Sequence, residues 1–155
     1  LNGYAIATIY DLLILDDSQA QIIDWKTYPR PQNAERLAKN WQTRLYLFVL
    51  AETTDYAPEQ ISMTYWFVEP GKTPQSLCFK YNTALHQQTQ QDLAQILGQL
   101  TEWLKSYDAG DSLPQIDEHQ GYCQTCPFAV RCQKTKQATD VLLSFAEIEE
   151  VAIGS

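Results

Sequence analysis

The 155-residue sequence predicts an α/β domain, a mixed β-sheet flanked by helices. Segments rich in β-branched and aromatic residues alternate with segments whose apolar residues recur at helical spacing, in the order strands, helix, strands, helix. Turn-forming clusters of Gly, Pro, Asp and Ser separate these segments, with no internal repeat and no low-complexity linker. The length suits one domain, since domains commonly run ~100–150 residues. Residues 1–155 are therefore read as a single domain, with its core over 1–110 and a cysteine-rich, metal-binding tail over 117–135.

Each element has its own signal. GYAIATIYDLLIL, residues 3–15, reads as a strand that breaks at Asp16, Asp17 and Ser18, and QIIDWKT, residues 21–27, reads as its antiparallel neighbour. Pro29 and Pro31 end that strand. Asn33 is an N-cap candidate for a helix in which Ala34, Leu37, Ala38, Trp41, Leu45, Phe48 and Val49 share a face, continuing to Glu52. ISMTYWFVEP and SLCFKY, joined by GKTPQ, form a hairpin. A second helix carries Leu93, Ile96, Leu97, Leu100, Leu104 and Tyr107 on one stripe, with Gly110 just past its end. The tail holds CQTCPFAVRC, residues 123–132, and the amphipathic stretch VLLSFAEIEEV, residues 141–151.

The net charge is −8, which argues against a general nucleic-acid binder. The distribution is uneven: Lys26, Arg30, Arg36, Lys39 and Arg44 fall close together, with only Asp24 and Glu35 among them. A basic segment in an acidic body is compatible with a phosphate-bearing ligand held at one place, while from charge alone the leading reading is a solvated helix face. No apolar run approaches the ~20 residues that span a bilayer, and no secretory leader is present, so a soluble cytoplasmic protein without a membrane partner is expected. The chain opens at Leu1, directly in strand-like sequence, as a piece cut from a longer polypeptide would.

In a strand, side chains alternate between faces, so Asp24 and Lys26 share one face while Trp25 takes the other and is expected to pack inward or against a helix. Asp11 lies on the neighbouring strand, ~4.8 Å away, so its carboxylate can meet that of Asp24. Two converging carboxylates repel unless a cation separates them, and a divalent ion with hard oxygen ligands is the usual solution. Lys26 beside such an ion can orient an attacking water and neutralise charge building on a phosphate. The bland reading is an exposed Asp24–Lys26 pair on a wet face, worth at most ~1 kcal/mol.

Asp11, then IIDWKT, then a helix bearing Gln42 and Tyr46 four residues apart on one face, resembles the PD-(D/E)XK nuclease superfamily, in particular its RecB-like and AddB-like exonuclease branch with a QxxxY motif. The resemblance covers residues 3–132 and implies a restriction-endonuclease-like fold. It implies a DNA nuclease that hydrolyses phosphodiester bonds in repair, recombination or related processing. Asp11, Asp24 and the backbone carbonyl of Trp25 would bind Mg²⁺ or Mn²⁺. Lys26 would act on the attacking water, and Gln42 and Tyr46 would position the substrate backbone or the metal shell. DNA with single-stranded ends would be the partner, gripped by Arg30, Arg36, Lys39 and Arg44, and a helicase subunit or domain a further one. The helix that precedes the first strand in the family does not occur in this chain. The other reading is a catalytically silent nuclease-like module that binds DNA ends or a helicase.

Cys123, Cys126 and Cys132 form CxxC followed by a third Cys, and without an export signal metal binding leads over disulfides. The spacing resembles that of the family branch carrying a [4Fe–4S] cluster, whose fourth thiolate comes from far upstream. A structural Zn²⁺ held with His119 is a competing account, and three free thiols a third. Cys78 is expected to be a small buried hydrophobe, and His86 a surface residue.

Overall fold

The structure, a computed structural model, describes residues 1–30, 33–129 and 131–132. Four strands, β1 (Leu12–Leu15), β2 (Ala20–Lys26), β3 (Ile61–Phe67) and β4 (Gln75–Lys80), form one sheet in the order β1-β2-β3-β4. β1 and β2 are antiparallel, β2 and β3 parallel, β3 and β4 antiparallel. A parallel pair needs a crossover, supplied here by helices α1 (Ala34–Ala38) and α2 (Trp41–Thr53). Helix α3 (Thr83–Asp108) follows β4. The mixed sheet with helices is the architecture expected. The chain divides into two compact units, Leu1–Glu102 and Trp103–Ser155, with the boundary inside α3.

The first unit holds the sheet and its core. Strand periodicity directs Ala20 and Ile22 of β2 and Ile61, Met63, Tyr65 and Phe67 of β3 to one face, where they pack with Leu37, Leu47, Leu50 and Tyr81. Asp24 and Lys26 fall in the same series, so the charged pair stands at the edge of the apolar face. Trp25 does not pack inward: it alternates to the opposite face, is 48% exposed, and pairs in register with Trp66, itself 38% exposed. Cys78 is likewise exposed, because on β4 its neighbours Leu77 and Phe79 take the inward positions.

Two boundaries differ from expectation. β1 is only four residues long, since its register with β2 runs from Leu15↔Ala20 to Leu12↔Ile23 and stops there. Residues 4–10 carry no ladder and are tied to helices instead, through Tyr4 Oη to Thr101 Oγ1 at 3.0 Å and Tyr10 Oη donating to the Tyr46 carbonyl at 3.2 Å. The helix expected from Asn33 to Glu52 is two helices. Asn33 caps α1 and Asn40 caps α2, its side chain accepting from the Gln42 N–H at 2.9 Å. The apolar period runs on across Lys39 and Asn40, but the second cap restarts the helix.

On α3, Leu93 is the one member of the expected stripe that is buried, and the helix closes at Gly110, whose φ of 100° is the left-handed conformation a C-terminal glycine supplies. His86 is not a plain surface residue. Its ring stacks on Phe48 at 4.9 Å, and Nε2 lies 3.0 Å from Glu52 Oε1. The second unit contains the short 3-10 turns Glu118–Gln120 and Tyr122–Thr125. The amphipathic stretch at 141–151 lies outside the described residues. Among the described residues no helix is long and apolar enough to cross a membrane.

Candidate active site

Four of the residues singled out in the sequence converge where β1, β2 and the start of α2 meet. Asp24 is fixed by β2 and only 3% exposed. Asp11 stands immediately ahead of β1. Continuing the β1–β2 register by one residue sets it opposite Asp24, and its Oδ2 accepts from the Trp25 backbone N–H at 2.9 Å. Gln42 enters from the first turn of α2, which the Asn40 cap aims at the sheet. Its Nε2 donates to Asp24 Oδ2 at 3.0 Å, and its Oε1 accepts from Lys26 Nζ at 3.1 Å. Lys26 Nζ closes the ring, 2.6 Å from Asp24 Oδ1.

That last contact is an ion pair by distance but not an aligned hydrogen bond, so Asp24 Oδ1 is a buried carboxylate oxygen with no hydrogen-bond donor. A buried anionic oxygen is costly unless a cation neutralises it, and in the structure the Lys26 ammonium does so. Two hard carboxylates, Asp24 on β2 and Asp11 just ahead of β1, fit Mg²⁺ or Mn²⁺. Asp11, Asp24 and the Trp25 carbonyl are the groups that would hold it. Among the described residues no group of three or more His, Cys, Asp and Glu side chains is gathered as a metal site.

Tyr46 sits one helical turn beyond Gln42. Its ring meets Tyr10 edge-on at 5.2 Å, and burial raises the Tyr10 phenol above its ordinary pKa. The basic residues separate into two groups. Arg30, Arg36 and Lys39 are exposed. Arg44 is engaged instead: its guanidinium pairs with Asp92 Oδ2 at 2.6 Å and lies 4.3 Å from the Trp41 ring centroid, fastening α2 to α3. That ion pair holds the Asp92 carboxyl below the usual range.

Thr43 and Tyr65 were not singled out, and both border the site. Tyr65 pairs with Asp24 in the parallel register, and Lys26 Nζ lies 5.3 Å from its ring centroid. Thr43 Oγ1 donates to the Leu37 carbonyl at 2.7 Å and lies 2.8 Å from Tyr65 Oη. Tyr65 reads in sequence as one more apolar-face residue between Met63 and Phe67. Only the β2–β3 pairing, which a sequence does not display, brings it beside Asp24.

In the second unit Cys123, Cys126 and Cys132 line one cleft of about 690 Å³ together with Trp103 and Tyr107. Among the described residues the three thiols are not gathered as a metal site. His119 does not line that cleft.

No curated protein and no solved structure shows significant similarity to the chain. A family model for the PD-(D/E)XK nuclease superfamily matches residues 2–133. That stretch holds the whole sheet, both acids, the lysine and the glutamine that bridges them, and the chain belongs to the PD-(D/E)XK nuclease superfamily.

Proposed function

We propose that the protein is a metal-dependent deoxyribonuclease of the RecB-like and AddB-like kind, acting as an exonuclease on DNA with single-stranded ends in repair, recombination or related processing. The observation that carries this reading is the closed ring of Asp24, Lys26 and Gln42 with one Asp24 oxygen left without a donor.

When bound, Mg²⁺ or Mn²⁺ would supply Lewis-acid activation of water and of the phosphate. Asp11 and Asp24 contribute negative charge at the point where that ion is needed, and the Trp25 N–H fixes the Asp11 carboxylate. Lys26 has two tasks: its ammonium directs the attacking water in line with the scissile phosphorus–oxygen bond, and it offsets the negative charge that grows on the phosphoryl oxygens. Gln42 holds Lys26 and Asp24 in one plane of reach, and Tyr46 flanks the strand backbone. Arg30, Arg36 and Lys39 bind phosphates of the incoming strand, while Arg44 sets the angle of α2 against α3. Cys123, Cys126 and Cys132 supply three thiolates to a [4Fe–4S] cluster that staples the tail, with Zn²⁺ as the competing occupant.

Cleavage of single-stranded and duplex DNA by the full chain with Mn²⁺, compared with Lys26→Ala, tests the reading. Loss of cleavage by a variant that still unfolds cooperatively is expected, at a lowered Tm because the buried Asp24 carboxylate loses its counter-charge, and equal cleavage by the variant would refute the reading. A second reading is favoured by the same ion pair, since Lys26 already neutralises Asp24: a silent module that binds DNA ends or a helicase without cutting. Calorimetric titration with Mg²⁺ and Mn²⁺ separates the two, because only the nuclease must bind an ion at Asp11 and Asp24.

A further inference from the structure

We propose that Tyr65 is a positioning residue for Lys26, its ring face carrying the ammonium when the Asp24 oxygen is taken up by a divalent ion. The inference rests on the nuclease reading above. Among the described residues Lys26 Nζ meets Asp24 Oδ1 at 2.6 Å, Gln42 Oε1 at 3.1 Å and the Tyr65 ring with its centroid at 5.3 Å. An ion at Asp24 draws on the carboxylate charge that now holds the ammonium. The Gln42 carbonyl and the ring then remain as its partners. A cation within ~6 Å of an aromatic centroid is attracted by the negative ring face, more strongly when solvent is excluded.

The ring is itself held rigidly. Tyr65 is fully buried, 0% exposed, on β3 directly beside Asp24. Thr43 has a single hydroxyl proton, and it is committed to the Leu37 carbonyl at 2.7 Å, so the 2.8 Å contact with Tyr65 must have the phenol donating. The result is a one-way relay, Tyr65 O–H to Thr43 O–H to the Leu37 carbonyl. It ties the ring to the break between α1 and α2, the same break that aims Gln42. Burial pushes the Tyr65 phenol up to about 12, so the phenol stays a neutral donor at neutral pH. One buried residue therefore couples the ammonium to the turn that presents its other partner.

The test replaces Tyr65 in the full chain with Phe and then with progressively fluorinated phenylalanines, which keep the shape of the ring and empty its face of negative charge. Cleavage kinetics on single-stranded DNA with Mn²⁺ and calorimetric Mn²⁺ affinity are the readouts. Tyr65→Phe, which keeps the ring and deletes the relay, is the reference against which the fluorinated variants are read. The most fluorinated variant should lose tenfold or more in kcat, with KM for DNA and Mn²⁺ affinity each within about twofold. A kcat indifferent to fluorination overturns the proposal, as does a loss of Mn²⁺ affinity that parallels the loss of kcat. Lys26→Ala, run alongside, isolates the premise: if that variant cuts like the unaltered chain, the nuclease reading fails rather than the role of Tyr65.

Discussion

Lys26 Nζ stands 2.6 Å from Asp24 Oδ1 without giving it an aligned hydrogen bond, and the same ammonium gives one to Gln42 at 3.1 Å. The carboxylate is neutralised in charge and unsatisfied in geometry. The arrangement predicts how the neighbouring side chains respond to change.

Gln42→Ala removes both a donor to Asp24 Oδ2 and an acceptor for Lys26. Leaving a buried carboxylate oxygen unpaired costs about 1–3 kcal/mol, so the midpoint of urea denaturation should fall. Cleavage should fall at least tenfold as the ammonium loses its orientation. A variant as stable and as active as the parent would show that Gln42 bridges nothing of consequence.

Thr43→Val breaks the relay at its centre and leaves the Tyr65 hydroxyl buried without an acceptor, at a cost of about 1–3 kcal/mol. Thr43→Val combined with Tyr65→Phe removes both polar ends and should be less destabilised than the sum of the single changes. Additive losses in a double-mutant cycle would mean that the two hydroxyls are not coupled.

Tyr65 and Tyr81 are both pushed up to about 12, in each case chiefly by burial. A raised folded-state value favours the neutral phenol. The stabilisation is complete below the ordinary tyrosine value of about 10 and is lost as pH rises from there through about 12. Thermal unfolding followed across this window should show Tm falling steeply, and a shallower fall when Tyr65→Phe removes one of the two phenols.

Asp92 behaves in the opposite sense. Arg44 holds its carboxyl below the ordinary value, so the contribution is present above the unfolded pKa and disappears as pH drops through the depressed one. Asp92→Asn should lower Tm at neutral pH, with the two proteins converging on acidification. A gap that stays constant down to strongly acidic pH would assign the loss to packing rather than to charge.

Under the cluster reading, protein purified without oxygen should carry iron and sulfide, and Cys126→Ser should remove both while the sheet unit still melts cooperatively. Zinc in place of iron would select the competing occupant.

Much of this was legible in residue order because it rests on short-range periodicity. The two-residue strand period put Asp24 and Lys26 together, and the four-residue helix period put Gln42 near Tyr46. What escaped depended on pairing and on a local cap. The helical period passes through Asn40 without a gap, so one helix was expected where the cap makes two, and it is that interruption that turns Gln42 onto both members of the ion pair. Trp25 and Cys78 were misplaced because hydrophobicity suggested burial where strand alternation sent them to the other face. Tyr65 is a site neighbour only through the parallel β2–β3 register, a contact between segments about 40 residues apart in the chain. Arg44 is a phosphate grip by the resemblance, yet in the structure it pairs with Asp92, which lies on a different helix.

The most direct measurement is cleavage of end-labelled single-stranded DNA by the full chain in Mn²⁺, set beside Asp24→Asn, which keeps the size of the side chain and removes its charge. The account predicts metal-dependent shortening by the parent and background only from the variant. Equal shortening by both proteins would contradict it.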